Sequence, residues 1–186
     1  MLDQTSGFAV CGHGRTMKQL VECVPNFSEG RSHQTVQALV DAVASVTGVL
    51  VLDHSLDRDH HRSVMTFVGE PDAMVEAAFR AVRAATDLID LRKHEGVHPR
   101  IGATDVVPFV PIKGTTMQDC IRMAKRLGQR VGRDLGIPVF LYERAATHPD
   151  HAAFGSIRRG GRLVAREERA FRYARGGFYA LLRPRT

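Results

Sequence analysis

Nothing in the 186-residue sequence approaches the ~20 consecutive apolar residues that a membrane-spanning helix requires. The first residues also lack a basic region followed by an apolar core, so no secretory signal is expected. Cysteine is scarce. Cys11, Cys23 and Cys120 are an odd number at wide spacings, which fits neither a disulfide framework nor a Cys-x-x-Cys metal or redox pair, and a reducing cytoplasm is the expected compartment. Aromatic platform motifs and a helix-turn-helix pattern are missing too, so the formal net charge of +6 must be located before it is read as a nucleic-acid footprint. Residues 155–186 hold nine arginines against Glu167 and Glu168, a net of +7, which leaves residues 1–154 at −1. A basic stretch confined to one terminal segment says little about what the folded body binds, and neither nucleic acid nor a membrane is the expected partner.

What is present is the material of an ordinary globular core. With 44% hydrophobic and 25% charged residues, the chain can build one domain or two small subdomains. Residues 1–19 are small, polar and without period and read as a leader, residues 20–160 as the folded unit, and residues 161–186 as an Arg- and Gly-rich tail. Leu20 to Val24 predicts a short strand and Pro25 to Arg31 a loop. Ser32 caps a helix in which Val36, Leu39, Val40, Val43 and Val46 recur at helical spacing up to Gly48. Val49 to Leu52 predicts a buried strand, Asp53 to Asp59 a polar loop, and Ser63 to Gly69 the next strand. Pro71 opens a second helix, with Met74, Ala78, Val82 and Ala85 on its apolar stripe. Thr104 to Ile112 reads as a strand, and because Pro108 and Pro111 cannot donate to a ladder it belongs at an edge or carries a bulge. Thr115 or Thr116 caps a third helix that Gly136 stops, and Ile137 to Leu141 is the last strand. The first six elements have the order of a split βαβ, or ferredoxin-like, unit, to which one helix and one strand are added. The expected class is α/β in a single subdomain, an α+β sandwich of one sheet against helices.

Chemistry concentrates between residues 92 and 109, where two histidines, two arginines, a lysine, a glutamate and an aspartate flank Gly96, Pro99 and Gly102. The stretch follows a helical run and precedes a strand, the placement in which functional loops are held between rigid elements. Pro99 biases His98 away from the helical region, so its imidazole is presented from an ordered corner. Taken alone, His98 is either a structural loop histidine or a proton-transfer group. Asp53 to Arg62 holds three histidines and three aspartates, which invites a metal site. Adjacent histidines on extended backbone point to opposite faces and no His-x-x-x-His helix pair accompanies them, so none is expected. Cys120, at a buried helical position, reads as a small hydrophobe rather than a nucleophile.

The run His94-Glu95-Gly96-Val97-His98-Pro99-Arg100-Ile101-Gly102-Ala103-Thr104-Asp105-Val106-Val107-Pro108-Phe109 resembles the signature of the formiminotransferases, folate-dependent enzymes of histidine degradation. Val21-Glu22-Cys23-Val24-Pro25-Asn26-Phe27-Ser28-Glu29-Gly30-Arg31, His61-Arg62-Ser63-Val64-Met65-Thr66-Phe67-Val68-Gly69 and Gly136-Ile137-Pro138-Val139-Phe140-Leu141-Tyr142 are similar, in the same order, to that family's amino-terminal subdomain. The resemblance implies formimidoyl transfer from N-formimidoyl-glutamate to tetrahydrofolate. It implies that His98, the histidine before Pro-Arg, is catalytic, and that Arg62, Arg100, Asp105, Asn26 and Ser28 bind substrate or folate or orient the catalytic group. A guanidinium fork meets a carboxylate bidentately, which suits Arg62 and Arg100 to that task. The family usually has asparagine where this chain has His61.

The family is also built from two α/β subdomains with folate between them, and this chain has length for one. The partners the resemblance implies are therefore folate, formiminoglutamate, and either a second copy of the chain or a carboxyl-terminal subdomain. Beyond residue 160 nothing matches the family's Pro-Asp-Phe-Gly-Pro stretch. A natural single-subdomain paralogue fits that departure, and so does a reading frame shifted near codon 160. A reading from another class fits as well: a non-catalytic interaction module that keeps the subdomain core without a complete folate site.

Overall fold

Period-two burial organises the sheet. In β1 (Leu20–Cys23) and β4 (Arg62–Gly69) every second residue is buried, so Val21 and Cys23 share one face with Met65 and Phe67. The computed structural model from which this is seen describes residues 18–93, 95–97, 102–149 and 178–180. The other strands of the main sheet are β2 (Asn26–Phe27), β3 (Val49–Asp57), β5 (Thr104–Val106) and β6 (Phe109–Lys113). Their order is β5-β2-β4-β1-β6, with β3 on the free side of β4, and every pairing is antiparallel. Three helices, α1 (His33–Ala44), α2 (Pro71–Leu88) and α3 (Met117–Leu135), complete a mixed α/β fold. Leu39 and Val43 of α1, Met74, Ala78 and Val82 of α2, and Leu127 and Val131 of α3 join Phe27, Phe67 and Phe109 of the sheet in one core. Burying each of the larger side chains contributes roughly 1.5–3 kcal/mol.

The helix ends follow their sequence signals. Ser32 caps α1 by accepting from the Thr35 amide, and Thr116 with Asp119 forms a reciprocal capping box on α3, which ends at Gly136. The first helix stops at Ala44, earlier than the apolar spacing through Val46 suggests: Ser45 N still donates to Asp41 O, but Val46 N turns to Val43 O in a tighter three-residue turn. No helix among the described residues is long and apolar enough to cross a membrane.

Where the strands depart from expectation, neighbouring strands supply the reason. The polar stretch after Leu52 is not a loop. β3 continues to Asp57 because β4 offers it a full ladder, Ser55 opposite Val64 and Asp57 opposite Arg62, and the added polar residues stay largely exposed. Likewise Asn26 and Phe27, expected in a loop, form β2 against Val64 and Ser63. The predicted strand from Thr104 to Ile112 does lie at the sheet edge, but it breaks into β5 and β6 at Val107–Pro108, beside the Val24–Pro25 break between β1 and β2. The carbonyls at the breaks are used: Val24 N donates to Pro108 O at 3.3 Å and Met65 N to Pro25 O at 3.0 Å. β7 (Val139–Leu141) pairs in parallel with β8 (Phe178–Ala180), a strand within the Arg- and Gly-rich stretch where no period announced one.

Candidate functional site

Alternation that buries Val21 and Phe67 under the helices sends their neighbours to the opposite face of the sheet. On that face Arg62 of β4 and Asp105 of β5 come together across β2, with Arg62 Nη2 3.6 Å from Asp105 Oδ2. Asp105 is almost fully buried at 1% exposure, and a buried carboxylate without a cation beside it would be costly, so the Arg62 charge offsets a desolvation penalty that burial imposes. The Arg62 side chain keeps 26% of its surface open. Asn26 sits between them in sequence register, opposite Val64 and Val106, and its Nδ2 donates to Val24 O at 3.0 Å.

Ser28 lies where β2 ends. Its Oγ donates to Gly102 O at 2.7 Å and its amide to Ala103 O at 2.9 Å, which ties the β2 end to the residues leading into β5. Both bonds go to backbone. Four of the six residues singled out in the sequence, Asn26, Ser28, Arg62 and Asp105, are thus gathered at one end of the sheet. The other two, His98 and Arg100, lie outside the described residues, but the chain on either side of them, Glu95–Val97 and Gly102–Asp105, is anchored to this same end.

That anchorage centres on the turn joining β3 to β4. Val97 N donates to Asp59 O at 3.2 Å, and Arg31 bridges the strand turn and the loop, with Nε donating to Arg58 O at 3.3 Å and Nη2 to Glu95 O at 2.6 Å. Two glycines permit the approach. A Cβ on Gly96 would stand 2.6 Å from His60 O, and one on Gly30 would collide with Asp57 O and Arg62 N. Inside the clasp is His61, buried and with a φ of 50°, whose Nε2 is 3.2 Å from Glu29 Oε1 and whose Nδ1 is 3.2 Å from Glu95 N. Burial works to raise the Glu29 carboxyl, but the amides of Ser32 and Arg31, together with His61, outweigh it and hold the group below its usual range. Neither Glu29 nor His61 stood out as a site residue in the sequence. The one available signal was the His60-His61 doublet.

His60 Nδ1 meets Asp57 Oδ2 at 2.7 Å on the surface. Burial pushes the Cys120 thiol up to about 11 and the Cys23 thiol well above its usual value, so both remain protonated and unreactive at neutral pH.

Fold and site together define a class: an α/β subdomain with one face of its sheet packed on helices and the other carrying a buried charged pair, at the end where Glu95–Val97 is clasped to the β3–β4 turn. The sequence of the whole unit names the family. The formiminotransferase domain, N-terminal subdomain, matches residues 20–174, and the chain belongs to that family. The match runs past residue 160 into the Arg- and Gly-rich stretch. Among relatives, the chain is 49% identical over 144 residues to a glutamate formimidoyltransferase of Streptococcus pyogenes, an alignment covering 77% of this chain and 48% of that protein. It is 52% identical over 139 residues to the glutamate formimidoyltransferase of Thermoplasma acidophilum, covering 75% and 46%. It is also 46% identical over 144 residues to the formimidoyltransferase-cyclodeaminase of Rattus norvegicus, covering 77% and 27%. The chain therefore spans just under half the length of the two glutamate formimidoyltransferases.

Proposed function

We propose that the chain is the amino-terminal half of a folate-dependent formimidoyl transfer, moving the group from N-formimidoyl-glutamate to tetrahydrofolate in histidine degradation. The observation that carries this reading is the family match together with the convergence of Arg62, Asp105 and both flanks of the His98 segment at one end of the sheet. The transfer passes through a tetrahedral carbon at which one nitrogen loses a proton and another gains one. His98 is assigned the role of base and then acid, since an imidazole with an unperturbed pKa near ~6.5 can serve both steps at neutral pH, typically for a gain of roughly 10²–10⁴-fold. Arg62 and Arg100 are assigned to substrate or folate carboxylates. Arg62 suits this even while paired with Asp105, because its guanidinium carries five donors and one carboxylate does not exhaust them. Asp105 fixes the Arg62 fork, and Asn26 and Ser28 brace the strand end beside it.

The finer architecture proposed is a split βαβ, ferredoxin-like unit with an added helix and strand, and residues 20–160 as its body. Supporting this, β1 and β2 lie end to end as one strand on β4, and β6 and β5 as one strand on them, giving four effective antiparallel strands. The sheet face away from the helices favours a partner, either a second copy or a carboxyl-terminal subdomain. Leu50, Val68, Glu22 and Val110 lie in one row across four strands there, Leu50 is exposed, and Glu22 Oε2 is buried with no hydrogen-bond partner among the described residues.

The test is formimidoyl transfer by the full chain and its His98→Ala variant, with tetrahydrofolate binding by calorimetry at low and high salt. Transfer that is lost in His98→Ala with folding intact supports the reading. Salt-resistant folate binding would also support it, because attraction to the tail arginines alone weakens steeply with salt. Absence of both, with a monodisperse monomer by light scattering, favours the non-catalytic module instead.

A further inference from the structure

We propose that His61 is a positioning residue: a neutral imidazole that latches the loop entering His98 to the amino-terminal end of α1. The inference rests on the assignment of catalysis to His98, and its structural half stands without it. The two imidazole nitrogens are spoken for in different senses. Nδ1 lies 3.2 Å from the Glu95 amide, which can only donate, so Nδ1 must present its lone pair. Nε2 then carries the proton and donates it to Glu29 Oε1 at 3.2 Å. That carboxylate oxygen is itself fixed by the amides of Arg31 at 2.8 Å and Ser32 at 2.9 Å, donors left over at the start of α1 where Ser32 is the cap.

The chain of bonds thus runs from the α1 terminus through Glu29 and His61 to Glu95, two residues from Val97 and three from His98. Histidine is held in a backbone conformation few side chains adopt, φ 50°, which aims the ring into the clasp rather than along the strand. Around it, Gly96 approaches the His60 carbonyl too closely for any other residue, Arg31 Nη2 donates to the Glu95 carbonyl, and Val97 N donates to Asp59 O. Loss of the imidazole removes the hydrogen bond that His61 accepts from the Glu95 amide, and with it a tether on the chain three residues before His98.

The experiment uses the full chain and the variants His61→Leu, which fills space without hydrogen bonding, and His61→Asn, which tolerates positive φ and offers an acceptor near the Nδ1 position. Long-range proton–nitrogen correlation spectra should show the wild-type His61 as the Nε2-protonated tautomer. Amide exchange at Glu95 should quicken by about tenfold in His61→Leu, as expected for one lost hydrogen bond, and recover in His61→Asn, while exchange at Phe67 in the core stays unchanged. Turnover should fall on the order of a hundredfold in kcat in His61→Leu with KM little moved, the signature of a displaced catalytic group. Wild-type exchange at Glu95 in His61→Leu, or an Nδ1-protonated tautomer, overturns the latch. Full turnover in His61→Leu beside a dead His98→Ala overturns its positioning role while leaving the assignment of function in place. Loosened exchange in His61→Leu beside an active His98→Ala keeps the latch and removes His98 from the mechanism. Should His61→Leu fail to fold, Gly96→Ala strains the same contact from the loop side and must reproduce the faster Glu95 exchange.

Discussion

The two faces of the central sheet are made by the same strands and do opposite work. On the face covered by helices, Val21, Met65, Phe67 and Phe109 pack in one apolar core with α1, α2 and α3. On the other face, reached by moving one residue along each strand, lie Glu22, Asn26, Arg62 and Asp105. The difference teaches that the apolar core and the charged groups are separated here by parity rather than by distance, so substitutions one position apart should differ in kind. Phe67→Ala is the largest expected effect, about 3–5 kcal/mol lost in urea unfolding from the void it leaves. Val68→Ala, its neighbour on the half-open face, should cost about 1 kcal/mol. Equal losses at the two positions would mean that the open face is as tightly packed as the core.

Next in size is Asp105→Asn. It keeps shape but strips the charge that faces Arg62, and because water reaches part of the guanidinium the expected loss is about 1–3 kcal/mol rather than the full cost of an orphaned buried ion. A loss confined to stability, with substrate binding untouched, would place Asp105 on the structural side of the division. Glu29 sharpens the comparison through pH. Its carboxyl is depressed in the folded state below the ordinary 4.5, so its contribution is complete above that value and disappears as pH falls through the lower folded value. Glu29→Gln should therefore flatten part of the acid limb of stability below pH 4.5 and leave neutral stability to the remaining bonds, as followed by circular dichroism against pH. The smallest effect is on the outer surface, where Arg126 Nη1 meets Asp72 Oδ1 at 2.7 Å with both side chains exposed. Arg126→Ala should change unfolding by at most about 0.5 kcal/mol, since exposed pairs gain little over their hydrated components.

Much of this division was legible in the sequence, for local reasons. Helix stripes and the Ser32, Thr116 and Gly136 signals read correctly because capping and periodicity are decided within a turn or two. The strand alternation in Ser63 to Gly69 likewise needs only its own residues. What escaped was decided by partners far along the chain. Asp53 to Asp57 has loop composition and becomes strand because β4 pairs with it, and Asn26-Phe27 is strand only because β4 and β5 flank it. The site divides in the same way. Arg62 and Asp105 carried recognisable motifs, whereas the His61 bonds to Glu29 and Glu95 span 32 and 34 positions and have no local signature.

One feature of the topology governs how the chain can reach this state. β1 comes first among the described strands and stands inside the sheet, yet both its neighbours come later: β4 through Val21–Gly69, and β6 through Cys23–Phe109. During synthesis it therefore has no strand to pair with until Gly69 has emerged, and its other edge stays open until residue 113 is clear. Closing so long a loop is slow, and an apolar strand with an open edge is vulnerable to strangers in the meantime. Production of this protein should thus be limited by kinetics rather than by final stability, gaining from slower translation or from a chaperone that shields β1 until β6 arrives.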